Sequence, residues 1–128
     1  MTFGWVVRCD PGAGTVEITD GNRYAEGDVT VVCAGDADPR TEHATWRKRP
    51  EGTSPYGPAA IAVWDASRRT LQLARDRTGR YPLFHTRDVN EAIVAANDLR
   101  ALLADPAVTV KTSPVVLAEW LLERPSFP

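Results

Sequence analysis

The stretch LARDRTGRYPLFH, residues 73–85, places four charged side chains and Gly79 in a connection flanked by apolar runs. A simple hairpin needs only two turn residues, of the Asn-Gly or Asp-Gly kind. Here Arg75-Asp76-Arg77 opens a longer connection, and Pro82 fixes the backbone where the next strand begins. Chain reversal alone does not require so specific a spelling.

The segments on either side read as strands. Ala59–Trp64 (AAIAVW) is almost wholly apolar, as expected of a strand buried on both faces, and the polar Asp65-Ala66-Ser67-Arg68-Arg69 joins it to Thr70–Ala74 as a hairpin. Pro82–Thr86 and Ala92–Ala95 form a second pair around Arg87-Asp88-Val89-Asn90, so that the four strands are expected to run as one meander. Asn97 or Asp98 then caps a short helix carrying Leu99, Leu102 and Leu103, which Asp105-Pro106 ends. A last strand is expected over Val108–Lys111. Ser113 as N-cap and Pro114 as first helical residue start a helix over 114–123, with Leu117, Trp120 and Leu121 on one face.

Upstream, Phe3–Arg8, Thr15–Thr19 and Asp28–Val32 read as short strands bounded by Asp10-Pro11-Gly12, Asp20-Gly21-Asn22 and Gly35-Asp36. Residues 39–58 show no clear period and are read as an irregular loop. No repeat or low-complexity tract is visible.

A chain of 128 residues, 43% hydrophobic and 25% charged, fits one domain with one core, spanning 1–128. The net charge of -2, with both signs interspersed, gives no footprint for a nucleic acid or an anionic membrane as partner. No apolar run approaches the ~20 residues of a membrane span, and Met1-Thr2-Phe3-Gly4-Trp5 lacks the features of a signal peptide. The expected location is the cytoplasm. Cys9 and Cys33 sit in strand-like runs without a CxxC spacing or a neighbouring His, and are expected to be buried free thiols rather than metal ligands. His43 and His85 lack the spaced carboxylate or second His of a triad or metal site, so solvated or packing roles are expected. Arg47-Lys48-Arg49 beside Trp46 could contact a phosphate or an acidic peptide, although a solvated loop explains it as well. Gly12 and Gly14 lack the third Gly and the helix of a phosphate-binding loop.

The run from Gly57 to Val108 resembles the second half of the N-terminal glutaminase domain of asparagine synthetase-type enzymes. The resemblance is carried by Trp64-Asp65, Ala74-Arg75-Asp76, Gly79, Pro82-Leu83-Phe84 and Ala96-Asn97-Asp98-Leu99-Arg100-Ala101-Leu102, in the family's order and spacing. It implies an α+β fold, the α/β/β/α sandwich of N-terminal-nucleophile hydrolases in reduced form, with mostly antiparallel strands. Arg75, Asp76, Gly79 and Pro82 become its structural signature, and Asp76 is expected to pair with Arg75, Arg77 or backbone amides.

The chain departs from that family where chemistry is done. Active relatives use a Cys as first residue after Met removal; Thr2 stands here. Threonine serves as nucleophile elsewhere in the wider fold, which leaves a minimal amidohydrolase using Thr2 as an alternative. The family's Arg-His-Arg-Gly-Pro-Asp segment, which grips the substrate carboxylate, has no counterpart. Ala34 stands where an Asn would donate to the oxyanion, beside Gly35, and losing one such donor typically costs ~10²–10³ in rate. The amine-binding Gly-Ser-Asp segment would fall in the irregular residues 39–56.

The expected catalytic set is therefore empty, and no glutamine hydrolysis is expected. The chain contains no Ser-Gly-Gly-x-Asp phosphate motif of the family's synthetase domain, so ATP and Mg are expected only in a partner. The resemblance extends to β-lactam synthetases and lasso-peptide macrolactam cyclases, whose N-terminal domains are degenerate. It implies a non-hydrolysing domain or split subunit, a pseudoenzyme that supports an asparagine synthetase-like partner in peptide natural-product biosynthesis and helps to hold a precursor peptide. Residues 114–128 would begin the connection to that synthetase. A free-standing binding module is the remaining alternative.

Overall fold

A computed structural model of the protein describes residues 4–10, 12–48, 58–76, 79–111 and 113–122. The elements are β1 (Trp5–Asp10), β2 (Thr15–Asp20), β3 (Asn22–Glu26), β4 (Val29–Gly35), α1 (Pro39–Lys48), β5 (Ala59–Asp65), β6 (Thr70–Arg75), β7 (Phe84–Arg87), β8 (Ile93–Ala96), α2 (Leu99–Leu103) and α3 (Pro114–Leu121). Sheet I has the strand order β2-β1-β8-β7 and sheet II the order β3-β4-β5-β6. All pairings are antiparallel, and the fold is α+β.

Alternation along the strands stacks these sheets. One side of β1 presents Trp5 and Val7, which meet Val32 and Ala34 of β4, Ala60 and Ala62 of β5 and Ala95 of β8 in the layer between the sheets. β5 is buried along its whole length because its other face is covered too. There Ile61 and Val63 pack with Val31, Cys33 and Trp46 of α1. On the outer face of sheet I, Val94 and Ala96 pack with Leu102 of α2 and with Val108. The layers thus run α1, sheet II, sheet I, α2.

Several expectations are corrected. The strands over 59–96 do not form one meander: β5 and β6 close sheet II, whereas β7 and β8 belong to sheet I. LARDRTGRYPLFH is therefore a crossing between sheets, which explains why it is longer than a hairpin turn. Part of the supposed loop 39–58 is helix α1. Asp38 starts it, its carboxylate accepting from the Thr41 hydroxyl at 2.8 Å, and Pro39 fits the first helical position. Its apolar stripe was hard to see because it amounts to His43 and Trp46, buried three residues apart on one face. β3 (NRYAE) carries no apolar run and gains its strand conformation from pairing with the apolar β4.

Val108–Lys111 is not a strand. The Val108 N–H donates to the Asp105 carbonyl at 3.0 Å, a turn that pulls Val108 into the outer cluster and leaves Val110 exposed. Helices α2 (Leu99–Leu103) and α3 (Pro114–Leu121) start where expected, and residue 123, the expected end of α3, lies outside the described residues. Asp98 caps α2, accepting from the Arg100 N–H, and the Ser113 hydroxyl accepts from the Val116 N–H at 3.4 Å. Among the described residues no helix is long and apolar enough to cross a membrane.

Candidate functional site

The end of sheet II where the chain crosses between sheets gathers the positions that the sequence singled out. Register places Ala34 opposite Ala60 and Gly35 opposite Ala59, and Ala60 in turn opposite Arg75. Asp76 follows at the end of β6. Its N–H donates to the Ala59 carbonyl at 3.1 Å, and its carboxylate accepts the Ala59 N–H at 3.0 Å. This pair extends the ladder by one rung, and a buried carboxylate holds the place where the crossing departs. Of the partners expected for Asp76, a backbone amide is observed, that of Ala59 on the neighbouring strand; Arg77 lies outside the described residues.

Gly79 has φ +65 and lies against the Arg75 guanidinium, so the crossing bends where only glycine does so without strain. Gly35, at φ +97, is another such position: a Cβ there would stand 2.4 Å from the Pro58 carbonyl oxygen and 2.8 Å from the Tyr81 ring. Tyr81, delivered by the crossing, thus lies flush against the backbone of Gly35. Ala34 is 4% exposed, and its methyl group belongs to the packed layer between the sheets. It offers no side-chain donor.

Trp5 closes the same end from sheet I. Its indole Nε1–H crosses the layer to donate to the Ala60 carbonyl at 3.3 Å, and its backbone N–H donates to Asn97 Oδ1 at 2.7 Å. Above it lies a pocket of about 560 Å³ whose lining includes Gly4, Trp5, Pro82, Phe84, Asn97 and Arg100. Asn97 was visible in the sequence as a possible helix cap and as part of the family resemblance. The structure gives the cap to Asp98 and gives Asn97 the task of fixing the start of β1. Thr2 lies outside the described residues, as does Arg49.

The other candidates are not brought here. His43 is buried in α1, with Nε2 donating to the Glu26 carbonyl at 3.2 Å and its ring edge-on to Tyr24 at 5.1 Å. His85 is exposed on β7, in the other sheet. Cys9 and Cys33 are buried free thiols on different sheets. Burial, reinforced by Glu42 and Asp38, pushes the Cys33 thiol up to about 12, so it stays protonated and non-nucleophilic at neutral pH. Among the described residues no cluster of His, Cys, Asp or Glu could hold a metal ion.

One charged constellation escaped the sequence. Arg8 on β1 forms ion pairs with Asp88, in the turn between β7 and β8, and with Asp105 beyond α2. Burial acts to raise the Asp88 carboxyl, but the N–H groups of Asn90 and Ala92 and the Arg8 guanidinium outweigh it and hold the group below the usual carboxylate range. This cluster ties three segments together. No spacing in the sequence could reveal it, because Arg8 and Asp105 meet only through the fold.

Comparison with known proteins identifies the family. Residues 53–127 match the glutamine amidotransferase domain family. A 60-residue stretch, 47% of this chain, is 35% identical to asparagine synthetase [glutamine-hydrolyzing] 3 of Bacillus subtilis (strain 168). That stretch spans 10% of the relative's length. No solved structure matches the chain.

Proposed function

Because the chain belongs to the glutamine amidotransferase domain family, we propose that it is a non-hydrolysing member, which supports an ATP-dependent, asparagine synthetase-like partner in amide or macrolactam formation. The observation that carries this reading is Ala34. At the position that would supply a donor to the oxyanion stands a methyl group, 4% exposed and packed between the sheets. A tetrahedral intermediate placed beside Gly35 would lack that donor, a loss worth ~10²–10³ in rate. Thr2, at the position of the family nucleophile, would have to act without it and without the arginine segment that orients the substrate.

The layer order α1, sheet II, sheet I, α2 supports the further reading that the fold is a reduced N-terminal-nucleophile hydrolase sandwich. In such a domain the crossing at Arg75, Asp76, Gly79 and Pro82 is architecture: it seats Tyr81 on Gly35 and joins the two sheets. ATP and Mg belong to the synthetase partner, and a precursor peptide is the substrate class that this domain would help to hold, in the cytoplasm.

The test is direct. The purified chain incubated with glutamine is expected to release no glutamate above a protein-free control, and to co-purify with a synthetase encoded beside it. Glutamate release that disappears in Thr2→Ala would overturn the reading in favour of an amidohydrolase. A chain that ignores such a synthetase would leave a free-standing binding module.

A further inference from the structure

We propose that the open side of the sandwich, between edge strands β6 and β7, is a binding site for an aliphatic carboxylate. The cleft shares no lining residue with the pocket over Trp5 and owes nothing to family membership. It measures about 480 Å³ and is lined by Leu71, Leu73, His85, Thr86, Arg87 and Ile93, within the range of roughly 300–1,000 Å³ usual for small-molecule sites.

Register explains its chemistry. On β7, Phe84 packs in the outer cluster and pairs with Ala96, whereas His85 pairs with Ala95, a residue of the layer between the sheets. Directly opposed residues share a face, so His85 and Arg87 lie on the inward face, where the core positions of the other strands are apolar. Across the gap, Leu71 and Leu73 of β6 pair with Trp64 and Ala62 and present their side chains to the same layer. An imidazole and a guanidinium therefore stand over an apolar floor formed by Leu71, Leu73 and Ile93.

Arg87 Nη1 donates to the Glu91 carbonyl at 3.3 Å, which leaves most of its fork unused. Among the described residues neither Arg87 nor His85 has a carboxylate within 4.0 Å, whereas Arg8 has two. A ligand carboxylate is the group that a guanidinium fork receives best, and an aliphatic chain is what two leucines and an isoleucine would cover. The competing explanation is that inward charges on an edge strand merely discourage pairing with another chain.

Hexanoate and hexan-1-ol separate the two when titrated into the full chain and followed by amide NMR shifts. Hexanoate is expected to produce saturable shifts at Leu71, Leu73, His85, Arg87 and Ile93, with hexanol binding at least about tenfold more weakly for want of the charged hydrogen bonds. Arg87→Gln should lose that preference and Arg87→Lys should keep part of it. Equal binding of acid and alcohol, unsaturable shifts, or an Arg87→Gln chain that still prefers hexanoate would overturn the proposal. The comparison of the two ligands on the wild-type chain decides it even if a variant does not fold.

Discussion

At the hairpin end of the sandwich three turns are closed by the same device. Asp10 accepts from the N–H groups of Gly12 and Ala13, Asp65 from Ser67 and Arg68, and Asp88 from Asn90 and Ala92. At the crossing end Asp76 makes the same kind of bond but reaches 17 residues back along the chain, to Ala59. A carboxylate bonded within its own turn builds a reversal that many folds could use. One bonded across strands specifies this fold, because its partner arrives only when β5 and β6 are paired.

The contrast is broken most severely at Gly35. Replacing it with Ala forces a left-handed non-glycine residue against the Pro58 carbonyl and Tyr81, and should cost about 3–5 kcal/mol in strain and overpacking, read as a fall in the urea midpoint. Asp76→Ala leaves the buried Ala59 N–H without its acceptor and should cost about 1–3 kcal/mol, with Asp76→Asn recovering most of it. If the alanine and asparagine variants were equally unstable, the charge rather than the acceptor would matter. Asp98 also lies toward the crossing end but works locally, as the cap of α2, so Asp98→Ala should cost only about 1 kcal/mol.

The smallest effect concerns acid. The Ser67 hydroxyl bond, ahead of the opposing effect of burial, holds Asp65 below its ordinary value, and its amide bonds and Arg68 add to this. Because the folded value is depressed, its stabilisation is complete above about pH 4 and is lost as pH falls through the folded value. Asp65→Asn should therefore flatten the acid limb of a stability-against-pH curve. An unchanged limb would remove Asp65 from the account.

These differences also mark what the sequence revealed. The apolar run of β5, the Asp98 and Ser113 caps and the family signature at 75–82 were all legible, because each depends on neighbours in sequence. What escaped was non-local. The sheet membership of β7 depends on finding β8 and β1 rather than β6. β3 borrows its order from β4, and α1 announces itself with only two core residues. At the site, the resemblance singled out Ala34, as an expected departure from the family pattern, and Gly35 beside it. The seating of Tyr81 on Gly35 and the crossing of the Trp5 indole to Ala60 were not, since both join the two sheets.

The pairing of β1 with β8 has a consequence for how the chain acquires its shape. Sheet II is contiguous in sequence, β3 through β6, and its hairpins can zip up one after another. Sheet I cannot: Val6 pairs with Ala96, and the Trp5 N–H finds Asn97 across a separation of 92 residues. Loop closure of that length must precede any gain from the contact, so the joining of the first strand to the last is expected to be the slow step of folding. Until then the β1–β2 hairpin carries Trp5 and Val7 uncovered, and this early species, rather than the native protein, is the one expected to aggregate.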